Sequence, residues 1–499
     1  MNLKCLVFFV SLLLSFHEAL CISSAFARGA QRPISKDRGS VGNFDNSGGK
    51  TEKSDEFENF PFIRSQSPIE KDKVAGMRIK DNNIVLLGYS REFSTMHLAE
   101  GEDFSDPNFF RQYPKLFSVE LNGITLSDQA LENLQKFLPR DLKNLIIDSC
   151  DLEADGAELV ADIIKKHADS IKAITIKHIK SSTEDASKIA SAISELSGLD
   201  FLSVAFREID IDSCDHIALA IEHSEALRTL SLSWGKVTNE QQAYQKLAEE
   251  ISKLRRLNSF EFSILSMSDE CTKSIIDAIS HLRELTNLRL YIGSLSTLNH
   301  IRLFEIAESF GDAIKHLTEL KILNLSNMLL PKDPMQVIAQ SLSSFKKLEN
   351  LNLSGNTIDK ETATLLSESF KELDNLKTLI IRNCRIDSQT FSELAKNLSN
   401  LPITTFSAGN NEIKDSIKSL PIRSMQDLQF IDFANNDVTF EALMNLLPDT
   451  IAHEKLRVID LKNNRTLHET DNNGDINSKR DIVEKWKLRN NSNIAIFGL

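Results

Sequence analysis

Between Leu116 and Thr466 the apolar positions repeat one short figure: three apolar residues at spacings of three and two, a marker residue three places on, then usually another apolar residue. It is cleanest at Leu348, Leu351 and Leu353 with Asn356 and Ile358; at Leu376, Leu379 and Ile381 with Cys384 and Ile386; and at Leu142, Leu145 and Ile147 with Cys150 and Leu152. The marker falls at Ile124, Cys150, Ile179, Arg207, Gly235, Leu265, Gly293, Met328, Asn356, Cys384, Asn411, Asn436 and Asn464, most often 28 residues apart, with extremes of 25 and 35. Apolar residues two apart make a short strand with one buried side, and stacking such strands in parallel buries a continuous ladder. The rest of each unit must return to the start of the next strand. In Ala154 to His167, Ala157, Val160, Ala161 and Ile164 fall on one helical face, and Thr362 to Leu373 does the same with Leu365, Leu366, Ser369 and Phe370.

Strand plus helix every 28 residues predicts an α/β solenoid of about thirteen repeats. Helices are wider than strands, so the stack should curve into a horseshoe with parallel strands on the concave face and helices on the convex one. The figure fits L-x-x-L-x-L-x-x-N/C-x-L, and the chain resembles the ribonuclease-inhibitor-like class of leucine-rich repeats over about 70 percent of its length. That class includes receptor domains of intracellular immune sensors and a GTPase-activating protein. The resemblance implies protein binding and leaves the partner unnamed, because one fold hosts many functions.

Two repeats depart from the norm. The 35-residue interval from Gly293 to Met328 holds an insertion placed within SLSTLNHIRL, and insertions in solenoids often sit near binding surfaces. The 25-residue interval before Asn436 contains Pro421, which predicts a short or irregular return.

Side chains between the buried strand positions should face the concave surface. Four places before the marker these are mostly small or polar, as in Thr175, Ser203, Ser231, Asn324, Asn352 and Ser407. One place before it, repeats three to seven offer His178, Phe206, Trp234, Ile264 and Ile292, with Tyr291 beside the last. On strands about 4.8 Å apart these would form an apolar stripe roughly 20 Å long. Such a stripe is either an exposed interface anchor or core covered by an adjoining loop. Glu261 and Arg289, with Arg382, Asp432 and Asp460, supply charges able to orient a protein partner.

Outside the repeats, Lys4, the apolar run Cys5 to Phe16 and Ala25-Phe26-Ala27 have the form of a signal peptide, so that the mature chain begins at Arg28. A membrane anchor is the weaker alternative, since His17 and Glu18 interrupt a run already short for a span. Leu20 fits poorly before a lipidated Cys21. Residues 28–75 are polar and read as a disordered linker, with Phe57, Phe60 and Phe62 expected to clamp onto the first repeat. Gly48-Gly49-Lys50-Thr51 lacks the first glycine and the strand of a phosphate loop. Residues 76–115 should form an N-terminal cap and 467–499 a C-terminal one, the latter with a helix from Ser478 to Leu488 showing Ile482, Val483 and Trp486 on its apolar face. Asp471, Asn473 and Asp475 do not match an EF-hand, because Gly474 comes one place early.

A net charge of −13 and a pI near 5.5 exclude a general nucleic-acid binder. The four cysteines of the mature chain, Cys150, Cys214, Cys271 and Cys384, avoid adjacent repeats and should be free thiols. An exported chain without disulfides is commoner among bacterial proteins than eukaryotic ectodomains. G-x-S-x-G, H-E-x-x-H and paired C-x-x-C motifs are absent, so neither enzymatic activity nor cofactor is expected. Asn324, Asn352, Asn397, Asn464 and Asn490 begin glycosylation sequons, which are incidental in a bacterial protein. The expectation is therefore a monomer, secreted or periplasmic, that binds a protein partner in its horseshoe in the manner of a bacterial effector. Regulation of a partner enzyme, or service as a surface receptor or adhesin, are the alternatives.

Overall fold

The computed structural model describes residues 117–465, apart from 124, 154, 180, 238–239, 266, 294, 296–297 and 451–452, together with 76–80, 83–87, 95–98, 476–489 and 494–497. The expected signal segment, the linker with its Phe57 to Phe62 motif, the aromatic run at 109–113 and the Asp471 to Asp475 turn lie outside these residues. The chain divides after Ala75, and every described residue belongs to the second unit.

Among the described residues one sheet of fifteen strands runs in strict sequence order from Thr95–Leu98 to Ala495–Phe497, each strand parallel to the next. Thirteen of these strands are those of the repeat figure: eleven lie just ahead of their marker, and Phe201–Ile209 and Thr229–Val237 run through theirs, Arg207 and Gly235. Register follows the figure as well: Leu323, Leu351, Leu379, Phe406, Ile431 and Ile459 pair in succession. Their side chains are fully buried, and each such residue contributes about 1.5–3 kcal/mol relative to exposure. Ahead of the main sheet, Gly76–Lys80 and Asn83–Leu87 form an antiparallel pair.

The returns are α-helices where the pattern put them. Gly156–Lys166 and Lys360–Phe370 replace the slightly longer spans expected, and Leu365 is only partly buried while Ala363 and Leu366 take the inner face. Many of these helices start on a short polar side chain: Ser127, Ser182, Asp210, Ser268, Asn299, Asp359 and Asp387 each accept a bond from an amide of the first turn. The repeat containing Pro421 returns through two 3-10 turns, Lys414–Ser419 and Ile422–Ser424, in place of an α-helix. At the C-terminal end Ile476–Arg489 is helical, with Val483 buried, Trp486 packed against the core and Ile482 exposed.

Two kinds of repeat alternate by region. In the C-terminal half the strands are three residues long, and from Asn356 onward the marker side chain ties each repeat to its neighbours. Asn411 donates to the carbonyls of Ile381 (2.9 Å), Ala408 (2.9 Å) and Gly409 (3.3 Å), and accepts from the amides of Cys384 (2.8 Å) and Ile386 (3.1 Å). Asn356, Asn436 and Asn464 make equivalent sets, and Cys384 and Cys150 donate their thiols to two carbonyls each. In the middle of the array the markers are Arg207, Gly235, Leu265 and Gly293, which cannot do this, and there the strands lengthen to Phe201–Ile209, Thr229–Val237, Ser259–Ile264 and Asn287–Ile292. Sheet hydrogen bonds replace the marker bonds.

Replacing Asn411 with Ala strands three buried backbone groups, the Ile381 carbonyl and the Cys384 and Ile386 amides, since the Gly409 and Ala408 carbonyls keep bonds from the Asn383 amide and the Asn436 side chain. The expected loss is about 2–4 kcal/mol, read by urea denaturation, with Asn411→Cys recovering part of it through its thiol.

Candidate functional site

Side chains two apart along a strand point the same way. The position one before the marker therefore shares its direction with the buried positions three and five before, provided that the strand continues so far. In nine of the thirteen repeats it does not, because that residue turns left-handed: Gly123, Ser149, His178, Asn327, Gly355, Asn383, Asn410, Asn435 and Asn463 have φ between 51° and 72°. Gly and Asn tolerate this conformation, whereas bulky or β-branched residues seldom adopt it. Phe206, Trp234, Ile264 and Ile292 stay extended, and each strand runs on.

This corrects the expected exposed stripe. Phe206, Trp234, Ile264 and Ile292 do pair in one contiguous row, but on the core side, with Phe206 and Trp234 only 4% and 2% exposed and the two isoleucines fully buried. Trp234 donates its indole N–H to the Tyr244 hydroxyl (2.9 Å) and meets Phe262 edge-on, while Phe262 stacks on Phe260. His178 is separate from the row. It sits exposed on a left-handed turn and bonds Asp148 through Nδ1 (2.8 Å). Burial alone would raise the Asp148 carboxyl, but the bond and charge of His178 bring it below its ordinary value.

The face that is presented consists of the positions two, four and six before each marker. Glu261 and Arg289 lie opposite one another in register there, as do Ser263 and Tyr291, and all four are half-buried. Lys177 Nζ reaches across one strand to donate to Ser231 Oγ (3.3 Å), which donates to Glu261 (3.4 Å). Between them the floor is made of small side chains, Ser203, Ala205 and Ser233, continued by Gly235 and bordered by exposed Arg207 and Leu265. A side chain at Gly235 would lie 2.7 Å from the Arg207 carbonyl, so glycine lets these two strands approach there. Burial raises the Tyr291 hydroxyl pKa and keeps it a neutral donor. Lys177 and Ser233 were not singled out by the repeat figure, and Arg207 and Leu265 entered it only as markers. Their signal is the two-residue alternation of Leu202, Val204 and Phe206 against Ser203, Ala205 and Arg207.

A second polar group lies nearer the C-terminal end. Arg382 extends over Gly409 to the Asp432 carboxylate, which also accepts from Ser407 Oγ (2.6 Å) and, through Oδ1, from the Ala434 amide (2.9 Å). Burial lowers the Arg382 pKa and Asp460 opposes that shift. A side chain at residue 409 would occupy the space of the guanidinium, 2.8 Å from Nη1. These contacts brace three repeats, with Asp432 almost wholly buried.

The four cysteines among the described residues are buried, and burial pushes the Cys384 thiol up to about 12 and that of Cys214 further still. Neither is an activated nucleophile. Among the described residues no group of His, Cys, Asp or Glu is arranged to hold a metal ion, and no helix is long and apolar enough to cross a membrane.

Strand, turn, marker and return, stacked in register, define a leucine-rich repeat solenoid. No family model matches the chain, and no curated protein matches it. Solved structures similar to it include an internalin from Listeria monocytogenes, at 14% identity over 81% of this chain and 86% of that one with a TM-score of 0.37. A chain from the complex of Rad7 and Elc1 in yeast is 16% identical over 80% of this chain and 89% of that one, with a TM-score of 0.43. Internalin C2 from Listeria monocytogenes is 19% identical over 44% of this chain and 84% of that one, with a TM-score of 0.29.

Because Trp234 is core, Trp234→Ala should destabilise the protein by about 3–5 kcal/mol, with a lowered urea midpoint. An unchanged midpoint would return the indole to the surface.

Proposed function

We propose that this chain is a ribonuclease-inhibitor-like repeat protein, without enzymatic activity of its own, that is exported and binds a protein partner across its strand face. The return helices and the 28-residue unit support the subclass. The signal-like segment before Arg28 supports export, and the placing of Cys150, Cys214, Cys271 and Cys384 in non-adjacent repeats supports a bacterial effector.

The observation that carries the binding reading is the platform from Lys177 to Tyr291. Four lengthened strands widen the sheet there, and small side chains leave its floor open. Interfaces draw most of their energy from a few aromatic and arginine anchors surrounded by near-neutral contacts. Tyr291, Arg289 and Arg207 are such anchors, with exposed Leu265 beside them, and they stand around Ser203, Ala205, Ser231 and Ser233. Glu261 opposite Arg289 fixes the orientation of an incoming charge.

A pull-down with the full chain, repeated with Tyr291→Ala and Arg289→Glu, tests the platform. The captured partner should bind each variant at least tenfold more weakly, while thermal unfolding stays within a few degrees of the parent. Capture that is indifferent to both substitutions would move the interface elsewhere.

A further inference from the structure

The large apolar side chains left exposed among the described residues are few, and away from the two ends of the array they are Leu265, which borders the strand-face platform, and Ile301, Phe304 and Leu329. All four fall in the consecutive repeats around the 35-residue interval. Ile301 and Phe304 lie three apart on the helix His300–Ile314, so they share its outer face, while Leu303, Ile306 and Phe310 fill its inner one. Ile301 is 73% exposed. Leu329 stands in the turn just before the next helix, Lys332–Ser341, and is 58% exposed.

Leu329 also has φ +54°, a left-handed conformation that leucine seldom takes. The position one past the marker is left-handed at Arg385 and Asp437 as well, so the turn belongs to the repeat, and what sets Leu329 apart is a large apolar side chain held out in solvent there. Ion pairs flank the ridge, Arg302 with Asp269 (3.7 Å) and Lys273 with Glu305 (3.1 Å), and His300 Nδ1 lies 3.7 Å from the Asp333 carboxylate. An apolar centre inside a charged rim is the anatomy of a protein interface.

Charge identifies the occupant. The helices Asp269–Ser280 and His300–Ile314 together carry six acidic residues and only two Lys or Arg. Both bases are consumed in the rim pairs, while Glu270 and Glu308 have no ion pair. We propose that the ridge of Ile301, Phe304 and Leu329 is a second docking surface, which receives a cationic amphipathic helix of a partner protein. Its apolar stripe would cover the ridge, and its Lys or Arg residues would meet Glu270 and Glu308. The proposal is independent of the strand-face platform.

The probe is a fluorescein-labelled 18-residue peptide of Leu and Lys at helical spacing, titrated by anisotropy against the full chain. Comparison peptides scramble the same composition or replace Lys with Glu. The amphipathic Lys peptide should bind at least tenfold tighter than either, and Ile301→Ser with Phe304→Ser should remove that advantage. Leu329→Gly is the second variant. Glycine accepts φ +54° without strain, so this chain should keep its stability yet bind several-fold more weakly. Tyr291→Ala, on the other surface, should leave peptide binding unchanged. Equal binding of the scrambled peptide, preference for the Glu peptide, or indifference to both ridge variants would each overturn the proposal.

Discussion

One backbone torsion governs this solenoid. Where the residue before the marker turns left-handed, the strand ends and the marker side chain swings under the turn, where Asn and Cys markers bond carbonyls or amides of their own and adjacent repeats and Ile179 and Met328 are simply buried. Where that residue is too bulky for the turn, the strand continues and the marker can no longer serve. Phe206, Trp234, Ile264 and Ile292 make this choice in four successive repeats. The width of the sheet, the identity of the markers and the location of the open platform all follow from it.

The two solutions satisfy the same requirement by different means. Every buried amide and carbonyl near the strand end needs a partner. Asn411 and Asn464 supply side-chain partners, at the cost of leaving the sheet only three residues wide. The middle repeats supply backbone partners over up to nine residues, and their extra core depth is filled by Trp234, Tyr244, Phe260 and Phe262. Small residues on the outer side are the corollary. Gly235 and Gly293 sit where a Cβ would collide with the carbonyl of the preceding repeat, at Arg207 and Leu265 respectively.

Strand positions, register and most return helices were legible from the repeat figure, because each is set by the burial of alternating or helical apolar residues within the unit. The irregular return before Asn436 was legible from Pro421 and the short interval. The orientation of the column before the marker was not read correctly, since the regular repeats leave the sheet ahead of it and their geometry was carried into repeats that do not. Glu261, Arg289 and Tyr291 kept their expected surface because they lie within the strand proper. Arg382 and Asp432 were recognisable as charges, but their link depends on Gly409 in the intervening repeat, a relation between units that no single unit displays.

The insertion falls where the two solutions meet. Strand Asn287–Ile292 pairs with Ile322–Asn324 through only its first three residues, so Leu290, Tyr291 and Ile292 extend beyond the pairing of the shorter neighbour. The chain between must then cover the exposed flank of the longer strand before it can start the next unit. Leu295 is buried beside Leu290 and Ile292, and Leu303, Ile306, Phe310 and Met328 line the same small apolar cavity. That cavity lies at the step between a long strand and a short one, whereas like repeats share one register and one depth. The additional chain is thus a consequence of joining a wide sheet to a narrow one, and the exposed Ile301 and Phe304 ride on the helix that makes the join.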